Sequence, residues 1–188
     1  MENKDMKAIA EFLFESGMLK IIDRNGWNTV HAPRESVAEH TYRTVLVGYV
    51  LAKMAELSKE EELLLLKACV FHDLHEARLG DLNKISRRYI KADEERAEKE
   101  QREKLPAQIR EDVENSLALL SSKIKEYVFD ADKIECAITA KEYLDLGYKT
   151  EVWIENTEKI LKTKEGKALF SIIKKTNSLE WLEKERKK

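Results

Sequence analysis

Residues 70–82 read VFHDLHEARLGDL. The apolar run that leads into this stretch predicts a helix from about Lys59 to Phe71, because its apolar side chains recur at helical spacing. His72 continues the inward face of that helix, so its imidazole is predicted to point toward the core at the helix end. Gly80 is predicted to end a short helix that follows, since glycine readily adopts the left-handed conformation found after many helices.

A second histidine, His40, lies upstream of this stretch in the segment ESVAEHTYR (35–43). Ser36 and Glu39 form the pattern of a capping box, in which each side chain satisfies a backbone N–H of the first helical turn. The helix that begins there is predicted to have one inward face, formed by His40, Thr44, Val47, Leu51 and Met54. His40 is therefore predicted to begin a face that belongs to the core.

Asp132 lies downstream, on a helix predicted from about Ser121 to Leu146 with Gly147 as its stop. Its neighbours at helical spacing are apolar: Val128, Phe129 and Cys136. An unpaired carboxylate on such a surface is costly, since burying even a neutral polar group without a partner costs about 2–7 kcal/mol. Three kinds of partner satisfy such a group, namely a salt bridge, a helix cap or a metal ion.

Taken together, these side chains have the composition of a metal site. Two neutral imidazoles and two carboxylates suit a borderline divalent transition metal, and here they are His40, His72, Asp73 and Asp132. A divalent ion lowers the pKa of water and polarises a phosphoryl oxygen, which is the chemistry that phosphoester hydrolysis requires.

Further side chains near the motif are candidates for proton transfer. Glu76 lies four residues after His72 and is predicted to share its helical face, where a carboxylate can deprotonate a water molecule. An exposed surface glutamate is the alternative interpretation. Asp81 follows Gly80 and is predicted to complete the acidic side of the pocket. Neither His75 nor the loop residue His31 has a partner at ligand spacing, and no role is assigned to them.

Composition restricts the class of protein further. The chain has 188 residues, of which 43% are hydrophobic and 37% charged, with only six glycines and two prolines, so long helices with solvated outer faces are expected. A net charge of −2 gives no broad basic face, and nucleic acid is not the expected partner. No membrane span or signal peptide is expected. Cys69 and Cys136 are interpreted as reduced core thiols of a cytoplasmic protein.

The remaining segments predict a single domain over residues 1–188, with the metal motifs within 36–135. Residues 5–21 are predicted to be helical, 23–36 to form a polar loop, and 91–104 to form a solvated helix surface. Pro106 is predicted to lie in the first turn of another helix. The amphipathic residues 150–185 are predicted to form helices that pack on the domain through Trp153, Leu161, Leu169, Phe170, Ile173 and Trp181.

At its motifs the sequence resembles the HD-domain 5'-deoxynucleotidases, in the segments ESVAEHTYR (35–43), VFHDLHEARLGDL (70–82) and DADKIECAITAKEYLDLGY (130–148). The resemblance runs from about Leu19 to Tyr148 and depends on an ordered set: E-H, then H-D-x-x-E-x-x-x-G-D, then D on a late helix. The eukaryotic branch, that of HD-domain-containing protein 2, looks closer, because RNGW (24–27) followed by PRESVAEHTYR (33–43) is similar to its corresponding stretch.

This resemblance implies an all-helical bundle, usually a homodimer, that removes phosphate from deoxyribonucleoside 5'-monophosphates. It implies one divalent transition-metal ion (Co, Mn, Fe, Ni or Zn) held by His40, His72, Asp73 and Asp132. It implies catalytic acids at Glu76 and Asp81. It also implies substrate contacts by Arg24 and Trp27, which are separated by two residues here but are adjacent in the bacterial members.

Two alternatives to this function remain. One is an HD phosphohydrolase that acts on another nucleotide, such as a deoxynucleoside triphosphate, a cyclic nucleotide or a guanosine alarmone. The other is a helical regulatory module that has kept the fold and lost the chemistry. Such modules typically lose metal ligands, and this sequence lacks none of them.

Overall fold

A computed structural model describes residues 2–188 of the protein, and within that range it contains helices and no β-strand. The α-helices are α1 (Asn3–Ser16), α2 (Asn25–Asn28), α3 (Val37–Met54), α4 (Lys59–Phe71), α5 (Glu76–Leu79), α6 (Glu94–Arg102), α7 (Ala107–Ala118), α8 (Ser122–Asp145), α9 (Glu151–Ile160), α10 (Lys164–Ile173) and α11 (Glu180–Arg186). The predicted fold class, an all-α bundle in a single domain, is confirmed. No helix in the described range is both long and apolar enough to cross a membrane.

Three long helices form the centre of the bundle, because α3 and α4 pack on each other and both pack on α8. Their buried apolar side chains form the main core, which includes Val47, Leu51, Leu65, Cys69, Ala131 and Ile134. Gly48 lets α3 and α4 approach closely, since a Cβ there would lie 2.8 Å from Leu65 Cδ2. Fully burying an aliphatic side chain stabilises the fold by about 1.5–3 kcal/mol, so this core is the main source of stability.

The start of α3 follows the prediction. Ser36 accepts the Glu39 backbone N–H, and the Glu39 carboxylate accepts the Ser36 backbone N–H, which is the predicted capping box. The predicted inward face is correct for its first four residues, which are buried. It is wrong for Met54, which is 42% exposed. The reason is that residues seven apart drift by about 20° per heptad around a straight helix, so the last member leaves the stripe.

The decisive segment after α4 is a tight turn and not a continued helix. Hydrogen bonds between residues three apart run from Leu74 N–H to the Phe71 carbonyl oxygen and from Glu76 N–H to the Asp73 carbonyl oxygen. The short helix α5 then begins at Glu76 and ends at Leu79, and Gly80 follows it with a φ of +70°, a conformation that favours glycine. The predicted end of α4 and the predicted glycine stop are both correct.

Residues 23–36, predicted as a loop, contain more order than the sequence indicated. The four-residue helix α2 interrupts them, and an isolated antiparallel bridge joins Asp23 to Ser36. The Arg24 backbone N–H donates to the Glu35 carbonyl oxygen at 2.8 Å. These bonds close the segment at its base and fix Arg24 beside the start of α3.

Other predictions were correct in type and inexact in detail. The charged helix α6 buries Ala97 and Gln101, so only part of it is solvated. Pro106 is the N-cap of α7 and does not lie in its first turn. In the C-terminal stretch, α9 and α10 pack on α8, whereas Trp181 is 64% exposed and makes no core contact. A helical stripe identifies candidate contacts, but only packing decides which of them are covered.

Candidate metal centre

Four side chains from three helical elements converge in the middle of the bundle. His40 comes from the first turn of α3, His72 and Asp73 from the turn after α4, and Asp132 from the middle of α8. His40 Nε2 lies 3.3 Å from His72 Nε2, 3.5 Å from Asp73 Oδ2 and 3.4 Å from Asp132 Oδ1. His72 Nε2 lies 3.1 Å from Asp73 Oδ2.

These separations fit a shared metal ion. Two ligands about 2.0–2.2 Å from one ion lie about 2.8–3.6 Å apart at tetrahedral or octahedral angles. His40, His72 and Asp73 each offer a ligand atom within 4.8 Å of the others. Asp132 joins them through its contact with His40. The donor set of two imidazoles and two carboxylates is one that divalent transition metals accept.

The orientation of both imidazoles strengthens this fit. His72 Nδ1 lies 2.7 Å from the Cys69 carbonyl oxygen, an acceptor only, so this nitrogen carries the proton. His40 Nδ1 is hydrogen-bonded to the Glu135 carboxylate. With both Nδ1 atoms donating, the two Nε2 lone pairs face each other, and a cation between them resolves their repulsion. Metal-bound histidines are commonly held in this manner.

Glu135 was not identified from the sequence. It lies one turn after Asp132 on α8, and its carboxylate is fully buried. Nothing in the residue types distinguishes it from the other glutamates of this charged chain. Only the packing of α8 against α3 brings it to His40. The i, i+3 spacing from Asp132 is the single signal that existed, and it is weak.

Both aspartates are held in the ionised form that a metal ligand requires. Burial opposes ionisation of Asp132, but the adjacent His40 ring, with Nε2 3.4 Å from Asp132 Oδ1, and the charge of Lys133 hold its pKa well below the ordinary range. Burial likewise opposes ionisation of Asp73, yet its interactions with His72 lower its pKa to about 2. Lys133 Nζ lies 2.7 Å from Asp132 Oδ2 and forms a salt bridge with it. The buried charge of Asp132 is therefore balanced by Lys133 as well as by its neighbours in the cluster.

Glu76 lies beside this cluster and is not an exposed surface residue. It is only 3% exposed, its Oε2 has no hydrogen-bond partner, and a carboxylate oxygen lies within 4.8 Å of a ligand atom of Asp73. Burial and the charges of Asp73 and Asp81 raise the pKa of Glu76 to about 8. A buried carboxyl with a free oxygen and a pKa near neutrality is suited to accepting and returning protons.

The other two polar candidates lie on the same side. Asp81 Oδ2 accepts the Asn25 backbone N–H at 2.6 Å, and the Asp81 carbonyl oxygen accepts from Asn25 Nδ2 at 2.6 Å. Arg24 Nη1 lies 3.6 Å from Asp73 Oδ2, and its side chain is 15% exposed. The segment after α5 and the start of α2 are therefore joined, and this junction places a guanidinium next to Asp73, one of the candidate ion ligands.

Trp27 occupies a different environment from Arg24. It is 2% exposed, its indole N–H donates to Glu35 Oε2 at 2.6 Å, and its ring packs against Tyr143 and Trp153. In this arrangement Trp27 belongs to a small core cluster and has no ring face open to solvent. Its role as a substrate contact stays a prediction.

The remaining histidines differ in their surroundings. His31 is exposed and has a positive φ of 54°. His75 is buried, and its Nδ1 lies 3.4 Å from Glu98 Oε1 on α6. Asp73, His75 and Glu76 also bring ligand atoms within 4.8 Å of one another, a second grouping that the sequence did not indicate. It shares Asp73 with the first grouping.

Fold and site together define an all-helical protein with a divalent-metal type cluster at the junction of three helices. A family model described as an HD domain matches residues 16–173, and the chain belongs to the HD domain family. No curated protein sequence matches the chain. Membership of this family supports the assignment of the chain as a metal-dependent phosphohydrolase.

Solved structures agree with this assignment. A crystal structure from a genomics programme is 34% identical, with a TM-score of 0.80 over 93% of this chain and 98% of the other. A conserved hypothetical protein of Pyrococcus furiosus is 27% identical, with a TM-score of 0.68 over 89% and 99%. The HD phosphohydrolase DatZ of cyanophage S-2L, bound to dA and one catalytic Zn²⁺ ion, is 17% identical, with a TM-score of 0.59 over 87% and 96%. The likeness to DatZ concerns the fold alone.

Proposed function

We propose that the protein is a metal-dependent 5'-deoxynucleotidase, which hydrolyses deoxyribonucleoside 5'-monophosphates to deoxynucleoside and phosphate. One observation carries the proposal. The buried Glu76 carboxylate keeps an oxygen without a partner beside a cluster of two imidazoles and two ionised aspartates. The resemblance in the sequence supplies the substrate class. The nucleoside bound in the DatZ structure is consistent with a nucleotide substrate for this chain.

His40, His72, Asp73 and Asp132 would hold the ion. When bound, a divalent ion supplies an acidified water and a charge that polarises a phosphoryl oxygen. If the ion is five- or six-coordinate, these four protein ligands leave space on it for water or a substrate oxygen. We expect one tightly bound ion per chain, of cobalt, manganese, iron, nickel or zinc. Elemental analysis after mild purification and after reconstitution measures it, and the absence of stoichiometric metal in both would contradict the site.

Glu76 and Asp81 are the proposed acid–base groups. Glu76 would take a proton from the attacking water as the phosphorus–oxygen bond forms, and the proton would then be available for the leaving 5'-oxygen. Asp81 already accepts one backbone hydrogen bond through Oδ2, so its contribution would be made by its other oxygen and by its charge. Acid–base assistance of this kind typically contributes about 10²–10⁴-fold in rate.

Arg24 is the proposed phosphate contact. Its guanidinium already lies next to Asp73, and a planar fork of N–H donors matches the oxygens of a phosphate group. A phosphate that contacts Arg24 would lie beside Asp73 and so next to the residues that would hold the ion. Trp27 would pack against the sugar and disfavour a 2'-hydroxyl, which requires its ring to become accessible when substrate binds.

A second candidate is hydrolysis of a nucleotide with a longer phosphate chain. The segment after α5 carries the cations Lys84, Arg87, Arg88 and Lys91. Three of these four line a surface cavity of about 380 Å³. Positive charge near the acid–base groups would suit additional phosphates.

A phosphate-release screen separates these candidates. Deoxynucleoside monophosphates, ribonucleoside monophosphates, deoxynucleoside triphosphates and cyclic nucleotides are compared, with Mn, Co, Mg and Zn each supplied in turn. The proposal expects the highest kcat/KM on deoxynucleoside monophosphates with a transition metal. Preference for triphosphates or cyclic nucleotides would replace the substrate class, and no release from any of them would favour the regulatory module.

We also propose a homodimer in solution. The proposal rests on the resemblance and on apolar side chains of the C-terminal stretch, among which Ile172 is 62% exposed and Leu179 is 47% exposed. Light scattering at several micromolar concentrations measures the mass. A monomer mass at every concentration would contradict the proposal.

A further inference from the structure

We propose that Glu135 is a positioning residue of the ion site: its carboxylate accepts the His40 Nδ1–H and so fixes the tautomer and the direction in which His40 Nε2 faces the ion. This inference rests on the metal site of the proposed function and is independent of which substrate the protein hydrolyses. Of the four candidate ion ligands, the Glu135 side chain hydrogen-bonds to His40, and it does not touch the predicted reacting atoms.

His40 and Glu135 are both fully buried, and they face each other from α3 and α8. Among the described residues, His40 is the donor that reaches Glu135 Oε2, and a buried carboxylate oxygen left without a donor is destabilising. The shared proton therefore belongs on Nδ1, which turns the opposite nitrogen, Nε2, toward the other ligands at 3.3–3.5 Å.

Glu135 is itself held in place. Arg43 Nε donates to Glu135 Oε1 at 3.0 Å, while Arg43 Nη1 donates to Glu142 at 2.7 Å. The Thr139 hydroxyl lies 3.1 Å from Glu135 Oε1 and 2.9 Å from Glu35 Oε1, and its one proton serves one of these carboxylates at a time. The arginine fork both orients Glu135 and balances its charge, so the carboxylate cannot rotate away from the imidazole without losing these bonds.

The two histidines of the cluster are oriented by different means. The His72 ring donates to the Cys69 carbonyl oxygen, a backbone acceptor that the helix fixes in space. The His40 ring depends on a side chain, and that side chain is negatively charged. A charged acceptor makes an imidazole a stronger ligand than a neutral one does, so Glu135 is expected to raise the affinity for the ion as well as to orient the ring.

A purely structural role is the competing explanation, since Glu135 and Arg43 also join α3 to α8. Glu142 provides a matched comparison, because it accepts from the same arginine and does not touch His40. If the pair only joined helices, Glu135→Gln and Glu142→Gln would both change stability and neither would change ion affinity.

The test measures the affinity of the metal-free protein for Zn²⁺ by competition with a chromophoric chelator. Glu135→Gln is expected to weaken Zn²⁺ binding by about 10- to 100-fold, the usual effect of losing such a partner, whereas Glu142→Gln is expected to leave it unchanged. Equal affinity of Glu135→Gln and the wild-type protein would overturn the inference. Failure of every variant and of the wild type to bind any divalent ion would instead contradict the proposed function.

A measurement on the wild-type chain covers the case in which Glu135→Gln does not fold. The sequence has only four histidines, so labelling them with ¹⁵N gives few NMR signals to assign. In the Zn²⁺-loaded protein, His40 is expected to carry its proton on Nδ1 and to retain that proton against exchange with solvent. A proton on Nε2 of His40, or rapid exchange of the Nδ1 proton, would overturn the inference.

Discussion

The two sides of the ion cluster are built differently. On the inner side, Glu135, Arg43, Thr139, Glu35 and Trp27 form a continuous set of hydrogen bonds, and none of their buried side-chain atoms lacks a partner. On the outer side, Glu76 Oε2 is buried without a hydrogen-bond partner. The inner side is fully hydrogen-bonded, whereas the outer side retains a free carboxylate oxygen beside the cluster.

This contrast follows from the cost of burying polar groups. An unsatisfied buried donor or acceptor costs about 1–3 kcal/mol, and more if it is charged. No other protein group satisfies the free Glu76 oxygen on the outer side. An unsatisfied buried polar atom of this kind is expected where a ligand completes a site.

The largest effect is expected from Asp132→Asn, which replaces a charged candidate ligand of the cluster with a neutral and much weaker one. Both the bound ion and phosphate release should be lost. Asp130→Asn is the matched control, since Asp130 is a buried aspartate on the same helix that accepts from the Lys162 and Thr163 backbone N–H groups and has no contact with the cluster. Elemental analysis and phosphate release measure the outcome, and retention of a stoichiometric ion by Asp132→Asn would contradict the ligand set.

A smaller effect is expected on the outer side from Glu76→Gln. The amide has almost the same shape and cannot accept a proton at neutral pH, so kcat should fall by about 10²–10⁴-fold while the fold and the ion are retained. Glu95→Gln is the control, because Glu95 is exposed. Near wild-type turnover would end the catalytic assignment, and loss of the ion would make Glu76 a ligand or a support for one.

Arg24→Lys should have a more moderate effect. Lysine keeps the positive charge and loses the fork, and a hydrogen bond to a charged group contributes about 1.5–3 kcal/mol, so kcat/KM should fall by about 10- to 100-fold. The ion content should not change, because Arg24 is not a ligand. Steady-state kinetics alongside elemental analysis measure both quantities. An unchanged kcat/KM would remove Arg24 from the phosphate site.

The smallest effect on catalysis is expected from the core. Leu65→Ala removes a fully buried side chain between α3 and α4 and should lower the free energy of unfolding by about 2–5 kcal/mol. At temperatures where the variant remains folded, kcat per bound ion should stay close to the wild-type value. Denaturant unfolding measures the stability. A large loss of kcat in the folded variant would mean that the core and the cluster are coupled.

The sequence predicted most of the fold because local signals are strong in a helical chain. The capping box at Ser36, the glycine stop at Gly80 and the apolar spacing of α4 and α8 each follow from one element considered by itself. Met54 and Trp181 show where that reasoning fails. Whether an apolar side chain is covered depends on a neighbouring helix, and a single element carries no information about its neighbours.

The sequence by itself identified the four candidate metal ligands, His40, His72, Asp73 and Asp132. It could do so because residue type and position on a helical face are local properties. It did not distinguish the buried aspartates of α8: Asp130 accepts hydrogen bonds from the residues that precede α10, including the backbone N–H and hydroxyl of Thr163, whereas Asp132 lies in the cluster. Glu135 likewise acquires its contact with His40 only when α8 packs on α3. Hydrogen-bond partners that are distant in the chain are chosen by packing, and only the tertiary structure decided them.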